Sequence, residues 1–450
     1  LLNGQFPARH GITAHIGDKY GEAWRKKGRH TKLLPPSYQP HLSHKDTTLA
    51  EAFKQHGYKT FFAGKWHLGG EAENSLPTNH GFDVNQGGYE KGGPYSGGYF
   101  SPFNNPYLTD YPEEKGMSLS MKLAKETNRF IETNKDTPFL AYLSFYAVHS
   151  PIQTTQVKWK KYRNKIDSMG IEPQGFKMNR VLPARKNQDN PVYAGLIEQV
   201  DEAIESVMQT LRRLNLDENT IVVFTSDNGG VTSGDNYSTS SLAFKGGKGY
   251  QWEGGTRVPL IIKMPEQVIA KQENNTPVTG ADIYPTLLEL AGLPLLPNQH
   301  KDGVSLMPLL KGDTLKSRPL YWHYPHYGNQ GGQPHSIIQE NGYKLIHYWE
   351  DGHNELYHVF DDSFEDNNLA NTKPDLTHQM ESRLLVWLEE MHVNYAEPDT
   401  LYDANASKKV LEKYRTELMP TLEKRRKKML DLNWKPNENW WGSETKKSKF

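Results

Sequence analysis

Apolar and polar positions alternate along the chain in two rhythms. In HKDTTLAEAFKQHG, Leu49, Ala52 and Phe53 share one face, Asp46 and Thr47 are cap candidates, and Gly57 is a stop; the stretch predicts a helix. YKTFFAGKWHLGG then reads as a short strand running into glycines. MSLSMKLAKETNRFIETN carries Leu119, Leu123, Phe130 and Ile131 at near-helical spacing, and TPFLAYLSFYAVHSP follows as an almost unbroken apolar strand. PVYAGLIEQVDEAIESVMQTLRRLN sets Leu196, Val200, Ile204, Val207 and Leu211 at three- and four-residue steps before the apolar run TIVVFTSDNGG. Helix before strand, repeated, with strands apolar along their whole length, predicts an α/β fold: a mostly parallel central sheet covered by helices on both faces.

ADIYPTLLELAG predicts a further helix, and DGVSLMPLLKGDTLKSRP reads as the close of a large domain over residues 1–316. Beyond it, PLYWHYPHYG, YKLIHYWEDG and NELYHVFDD are aromatic, strand-like pieces separated by turn residues. They predict a smaller α+β domain over residues 317–450, built on an antiparallel sheet. The charged helical pattern near the end includes EKRRKK, which reads as a solvated helix face.

Composition narrows the chemistry. Lys and Arg total 53, as do Asp and Glu, so no net field draws the chain toward nucleic acid or a membrane surface. No apolar run reaches the ~18 residues of a membrane span. The absence of cysteine removes disulfides, thiolate nucleophiles and Cys-ligated zinc from these residues. The sequons at Asn236, Asn274 and Asn405 match the background rate of such triplets.

In an open parallel sheet, ligands bind beyond the carboxyl ends of the strands. Three predicted strands end there in polar residues: Gly64-Lys65-Trp66-His67, His149-Ser150-Pro151 and Ser226-Asp227-Asn228-Gly229-Gly230. Asp227 and Asn228 offer hard oxygen ligands suited to Ca²⁺, with Mg²⁺ the alternative, although Asp-Asn-Gly-Gly is also a turn signal. Lys65 and His67, two residues apart, share a side and can hold an anion and move a proton; a surface lysine and a hydrogen-bonded histidine explain them equally. Lys248 lies between glycines in AFKGGKGYQWEGGTRVPLII, a loop without phosphate-loop spacing. Two lysines and a cation in one empty pocket repel by about 4 kcal/mol per close pair. A tetrahedral oxyanion ester resolves that conflict.

GKWHLG, the His-Ser-Pro after an apolar strand, SDNGG and GGKGYQWEGGTRVPLI resemble, in that order, the type I sulfatases of the alkaline-phosphatase superfamily; LLNGQFPARHG, ADIYPTLLELAG and DGVSLMPLL fit the same pattern. The resemblance covers most of residues 1 to about 370 and implies an alkaline-phosphatase-like fold. It implies sulfate-ester hydrolysis by a formylglycine nucleophile, with Asp227 and Asn228 as calcium ligands and Lys65 and Lys248 as oxyanion clamps. His149 resembles the general acid and His67 the partner of the aldehyde hydrate. In that family the nucleophile and a paired-Asp strand precede the segment resembling LLNGQFPARHG, so the reading expects both upstream of Leu1 and this chain alone to be inactive and poorly soluble. The resemblance also implies a periplasmic or secreted protein. WHYPHYGNQGGQPHS resembles loops of bacterial polysaccharide sulfatases. Trp322, His326, Asn329 and Gln330 are therefore candidate contacts to a sulfated, galactose-type glycan, while a buried aromatic hinge explains the same stretch. Two rivals stand: a phosphoester hydrolase of the same superfamily, disfavoured because Asn228 replaces the histidine a zinc site prefers, and a non-catalytic sulfated-glycan-binding protein. Oligomeric state is open.

Overall fold

The computed structural model describes residues 1–95, 97–264 and 272–436. Chain order begins with α1 (Pro7–His10), β1 (Leu33–Leu34), α2 (Leu49–Gln55), β2 (Lys59–Gly64) and β3 (Val84–Gln86). Then come α3 (Leu119–Thr133), β4 (Phe139–Ser144), α4 (Gln156–Met169), the hairpin β5 (Phe176–Asn179) and β6 (Leu182–Arg185), α5 (Pro191–Arg213) and β7 (Val222–Thr225). Next are α6 (Glu253–Thr256), β8 (Leu260–Lys263), α7 (Ile283–Leu290), α8 (Met307–Leu310), and β9 (Leu320–Tyr324), β10 (His335–Glu340), β11 (Tyr343–Tyr348) and β12 (Asn354–His358). The described chain closes with α9 (Pro374–Glu390), β13 (Glu397–Pro398), α10 (Ala404–Lys413) and α11 (Met419–Leu430).

The predicted α/β centre is present. β2 runs parallel to both β3 and β4, in the order β3-β2-β4, and Phe61 and Phe62 are buried on opposite faces of β2. Phe61 packs with Leu123, Phe130, Leu196 and Leu211 of α3 and α5, and Phe62 with Trp66 and Phe82, so cover on both faces explains the unbroken apolar runs. β7 pairs antiparallel with β8, a departure from the all-parallel expectation for this run. Here cover is partial: every residue of β4 is only half-buried, and Phe224 and Ile261 are 40% and 60% exposed.

α2 starts one residue later than its cap candidates. Thr48 is the N-cap, its hydroxyl accepting from the Glu51 N–H while Glu51 accepts from the Thr48 N–H. This reciprocal Thr-x-x-Glu box satisfies two orphan donors at once, which Asp46 and Thr47 do not.

The C-terminal sheet is antiparallel in the order β12-β11-β10-β9. One face, with Ile338, Leu345 and Leu356, packs on Leu384 and Leu388 of α9; the other, with Ile337 and Ile346, packs on Tyr250 and Trp252. The sheet thus backs the glycine-rich loop that carries Lys248. The EKRRKK run corrects its expectation at one position. Arg426 is 1% exposed, its guanidinium bonded to Asp189 at 2.6 Å and to the Glu172 carbonyl at 2.8 Å, fixing α11 to the β5–β6 region. Arg185 pairs with one oxygen of Asp189 and Arg426 with the other, so a contact across the fold overrides the solvated face at this position.

Candidate functional site

The site begins where β2 stops. Gly64 has φ +106°, and a Cβ there would lie 1.8 Å from the Ser144 carbonyl oxygen, so only glycine lets the chain turn this close to β4. The Lys65 N–H donates to that same oxygen at 2.7 Å. Trp66 points inward and donates its indole N–H to the Ser75 carbonyl at 2.7 Å. Lys65 and His67 are therefore left on the other side, facing the ends of the neighbouring strands.

Lys65 Nζ meets Asp227 Oδ2 at 3.1 Å, joining the carboxyl end of β2 to that of β7. Asn228 spends its amide NH₂ on the Gly229 carbonyl at 2.9 Å, which leaves its amide oxygen as an acceptor. The Lys248 loop locks onto the same strand end: Lys248 N–H donates to Gly230 O at 2.9 Å and Gly229 N–H to Gly255 O at 3.0 Å. Cβ atoms on Gly229 and Gly247 would lie 1.8 Å and 2.4 Å from facing carbonyl oxygens, so this interlock needs bare backbone.

His149 is set by its neighbours. The buried Tyr99 hydroxyl bonds the carbonyls of Tyr146 and His149, each at 2.8 Å, and His149 Nδ1 lies 2.9 Å from the Ser150 carbonyl. That carbonyl can only accept, so Nδ1 carries the proton and a neutral His149 presents a bare Nε2. By the same reasoning, His67 Nε2, 3.1 Å from the Ile16 carbonyl, is the protonated nitrogen of that ring. Both imidazoles rest on Gly92 and Gly93, where a Cβ would fall 2.4 Å from His67 Nδ1 and 2.8 Å from His149 Nδ1.

The electrostatics follow from crowded cations. Burial, then the charge of Lys65, pushes His67 down to about 4. Burial and then Lys248 lower His149. Lys248 is itself lowered by burial and then by Lys65. Loss of water works against the Asp227 charge, but Lys65 and Lys248 outweigh it and hold the carboxyl below its usual range. The pocket thus suits an anion, whose arrival would relieve the repulsion and favour protonated His149.

Lys65, His67, His149, Asp227, Asn228 and Lys248 converge where the carboxyl end of β2, in the β3-β2-β4 sheet, meets that of β7, in the separate β7-β8 sheet. Of the other candidates, Gln330 donates to Asp235 Oδ2 at 2.8 Å beside Gly249, and Asn329 Oδ1 accepts from Lys27 at 3.3 Å. Both lie at the rim of the Lys248 loop. His326 is 2% exposed, with Nε2 2.9 Å from the Thr13 hydroxyl, and Trp322 on β9 packs against the Tyr250–Trp252 cluster. These two sit behind the rim. Sequence reasoning passed over three features: His15, 3.6 Å from buried Asp18 and close enough to Lys248 for their charges to interact; Asp235; and Gly92-Gly93. Only the Gly-Gly pair carried a signal, as a likeness to other close-approach glycines.

Among the described residues no three His, Asp or Glu side chains gather to hold a metal ion. Asp227 and Asn228 nonetheless supply a carboxylate and an amide oxygen, the hard donors Ca²⁺ or Mg²⁺ takes, and so fit as part of a shell of ~6–8 oxygens. No described helix is long and apolar enough to cross a membrane.

Residues 1–293 match the sulfatase family, and residues 247–394 match the family described as N-sulphoglucosamine sulphohydrolase, C-terminal. A sulfatase of Formosa agariphila is 29% identical over 453 residues, covering 86% of this chain and 78% of that protein. Human steryl-sulfatase is 32% identical over 236 residues, covering 50% of this chain and 36% of that enzyme. Rat steryl-sulfatase is 27% identical over 404 residues, covering 72% and 63%, so the chain spans less than two thirds of both steryl-sulfatases. The crystal structure of Ps i-CgsB in complex with k-i-k-neocarrahexaose superposes with a TM-score of 0.67 at 23% identity, covering 95% of this chain and 87% of that one. That likeness establishes the shared alkaline-phosphatase-like fold.

Proposed function

Because the chain belongs to the sulfatase family, we propose that it binds the sulfate group and transfers the proton in hydrolysis of a sulfate ester on a sulfated, galactose-type glycan. The observation that carries this reading is the convergence of Lys65, Lys248 and His149 on Asp227. Two cations bracket a space beside a carboxylate and an imidazole, and a sulfate monoester brings the missing negative charge. The glycan reading draws support from the k-i-k-neocarrahexaose in the Ps i-CgsB complex and from polar Asn329 and Gln330 at the rim. Asn228, an amide where zinc phosphoesterases favour imidazole, favours sulfate over phosphate.

In this mechanism Lys65 and Lys248 hold the non-bridging sulfuryl oxygens and take up the charge that develops on them. His149, protonated at Nε2 once the anion is bound, gives that proton to the alcohol oxygen as the S–O bond breaks. The products are the free alcohol and sulfate. His67, fixed by Ile16, keeps its ring against the same cavity for proton traffic at the nucleophile. Asp227 and Asn228 would hold a hard cation, which polarises sulfuryl oxygens when bound. A formylglycine hydrate would supply the attacking hydroxyl. We place the protein in the periplasm or outside the cell, where polymeric glycans are met.

The test is turnover by the protein expressed from its complete gene. It is assayed on 4-nitrophenyl sulfate, 4-nitrophenyl phosphate and sulfated galactosides. Faster hydrolysis of a sulfated galactoside than of both aryl esters supports the reading. Activity confined to aryl sulfates refutes the glycan assignment, preference for phosphate refutes the sulfatase mechanism, and tight glycan binding without turnover refutes catalysis.

A further inference from the structure

Asp235 lies beside the Lys248 loop, with Gln330 between them, and has no catalytic task. It is exposed, and its Oδ2 accepts a hydrogen bond from Gln330 Nε2 at 2.8 Å. Gln330 in turn lies against Gly249, where a Cβ would fall 2.7 Å from its Oε1, so Asp235 is one side chain removed from the residue after Lys248. The preceding Gly234 has φ +63° and packs against Asn329, since a Cβ there would lie 2.6 Å from the Asn329 carbonyl. This turn holds Asp235 on the rim rather than inside the pocket. From there its charge acts on His15, Tyr95, His149 and Lys248. Tyr95 packs edge-on to His149, with centroids 6.1 Å apart.

Asp235 differs from the other carboxylate whose charge acts on His15. Asp18 is 7% exposed and faces Lys27 at 3.4 Å and His15 at 3.6 Å, so its charge is answered. Asp235 has a neutral amide for its hydrogen-bond donor, and among the described residues no lysine or arginine is ion-paired to it. It is an exposed carboxylate without a cationic partner, beside the loop that carries Lys248. A carboxylate in that setting accepts well from a hydroxyl and repels an anion.

We infer that Asp235 reads the substrate carbon beside the scissile ester: it accepts a hydrogen bond from a free hydroxyl there and excludes a second sulfate. The inference rests on the proposed sulfatase reading and adds a specificity to it, for glycans carrying one sulfate on the reacting sugar. Two unit charges about 6 Å apart at an effective dielectric near 20 repel enough to discriminate by roughly 100-fold. The wild type therefore favours the singly sulfated sugar by about that factor.

The test compares kcat/KM of the protein from its complete gene on two probes. One is a methyl galactoside with a single sulfate, the other the same glycoside with a further sulfate on the adjacent carbon. The ratio of the two is the readout, because it cancels any effect of Asp235 on Lys248 or His149. D235N keeps an oxygen for the Gln330 bond and removes the charge; it should raise the disulfate-to-monosulfate ratio by roughly 30- to 100-fold. D235E, which restores the charge, should hold the ratio near the wild-type value. An unmoved ratio in D235N, with both probes hydrolysed, overturns the inference and leaves the sulfatase reading standing. A wild type that hydrolyses neither probe nor any aryl sulfate overturns both.

Discussion

Lys344 is the point at which the C-terminal sheet grips the Lys248 loop. On β11 it is 1% exposed, with Nζ 3.0 Å from Glu253 of α6 and 3.0 Å from Glu365. Both carboxylates are buried, and Glu365 also accepts the Glu253 N–H at 2.6 Å. Lys245, at the start of the same loop, donates to the Glu365 carbonyl at 2.9 Å and lies over the Trp252 ring at 4.8 Å. Replacing Lys344 by Met leaves two buried carboxylates facing each other without their cation. Breaking a buried pair in this way costs about 3–5 kcal/mol. At about 2.1 cal/mol/K of unfolding entropy per residue, that lowers Tm by roughly 3–5 °C for a chain of 450 residues. The loss should grow with pH. Burial raises Glu365, and Lys344 is the first group opposing that rise. A carboxyl raised in the folded state contributes stability that is present below its unfolded value and lost as pH climbs through its folded value. Without Lys344 the folded value moves higher still, so the variant protonates Glu365 and recovers in mild acid. Calorimetry at pH 5.5 and pH 8 checks this, with a larger deficit expected at pH 8. Equal deficits at both pH values, or a Tm within a degree of wild type, would refute the ion-triad reasoning.

Substituting Lys65 or Lys248 by Ala should lower kcat by 10²- to 10³-fold, about 3–4 kcal/mol of lost oxyanion stabilisation, read by steady-state kinetics on an aryl sulfate. His149 must be protonated to act, and burial with Lys248 lowers it, so kcat/KM should fall as pH rises through that lowered value. K248M removes the repelling cation and should move the falling limb toward alkaline pH; a limb that stays put or moves toward acid would show that His149 is not the titrating group. R426L removes one of the two arginines on buried Asp189 and leaves Arg185 on the other oxygen; the lost charged hydrogen bonds should cost about 1.5–3 kcal/mol and expose α11 to limited proteolysis faster than wild type.

The strands that build the site were legible because burial on both faces writes an unbroken apolar run, as in Phe139–Ser144, and a polar break marks the carboxyl end. α3 and α5 were legible because each is amphipathic and capped by Ser118 and Asn190. The β5–β6 hairpin was not, since Leu182-Pro183-Ala184-Arg185 is buried throughout and has no period-two alternation. Nor was β10, hidden behind the glycine- and proline-rich run that precedes it. Arg426 escaped because its partner Asp189 lies 237 residues away, and a basic run carries no mark of which member turns inward. His15 and Asp235 escaped for the same reason. Their meaning comes from neighbours on other segments, whereas Lys65 and Asp227 follow closely on a recognisable strand, and His149 lies in the turn beyond another that ends at Ser144.

The most direct measurement is calorimetric titration of inorganic sulfate into the purified protein and into a Lys65→Ala, Lys248→Ala double variant, at pH 6 and pH 8. One shared anion pocket predicts saturable binding to the wild type, tighter at the lower pH as His149 takes up its proton, with at least a 100-fold weaker affinity in the double variant. Equal binding by the two proteins would mean that sulfate is held elsewhere and that these residues do not form a common site.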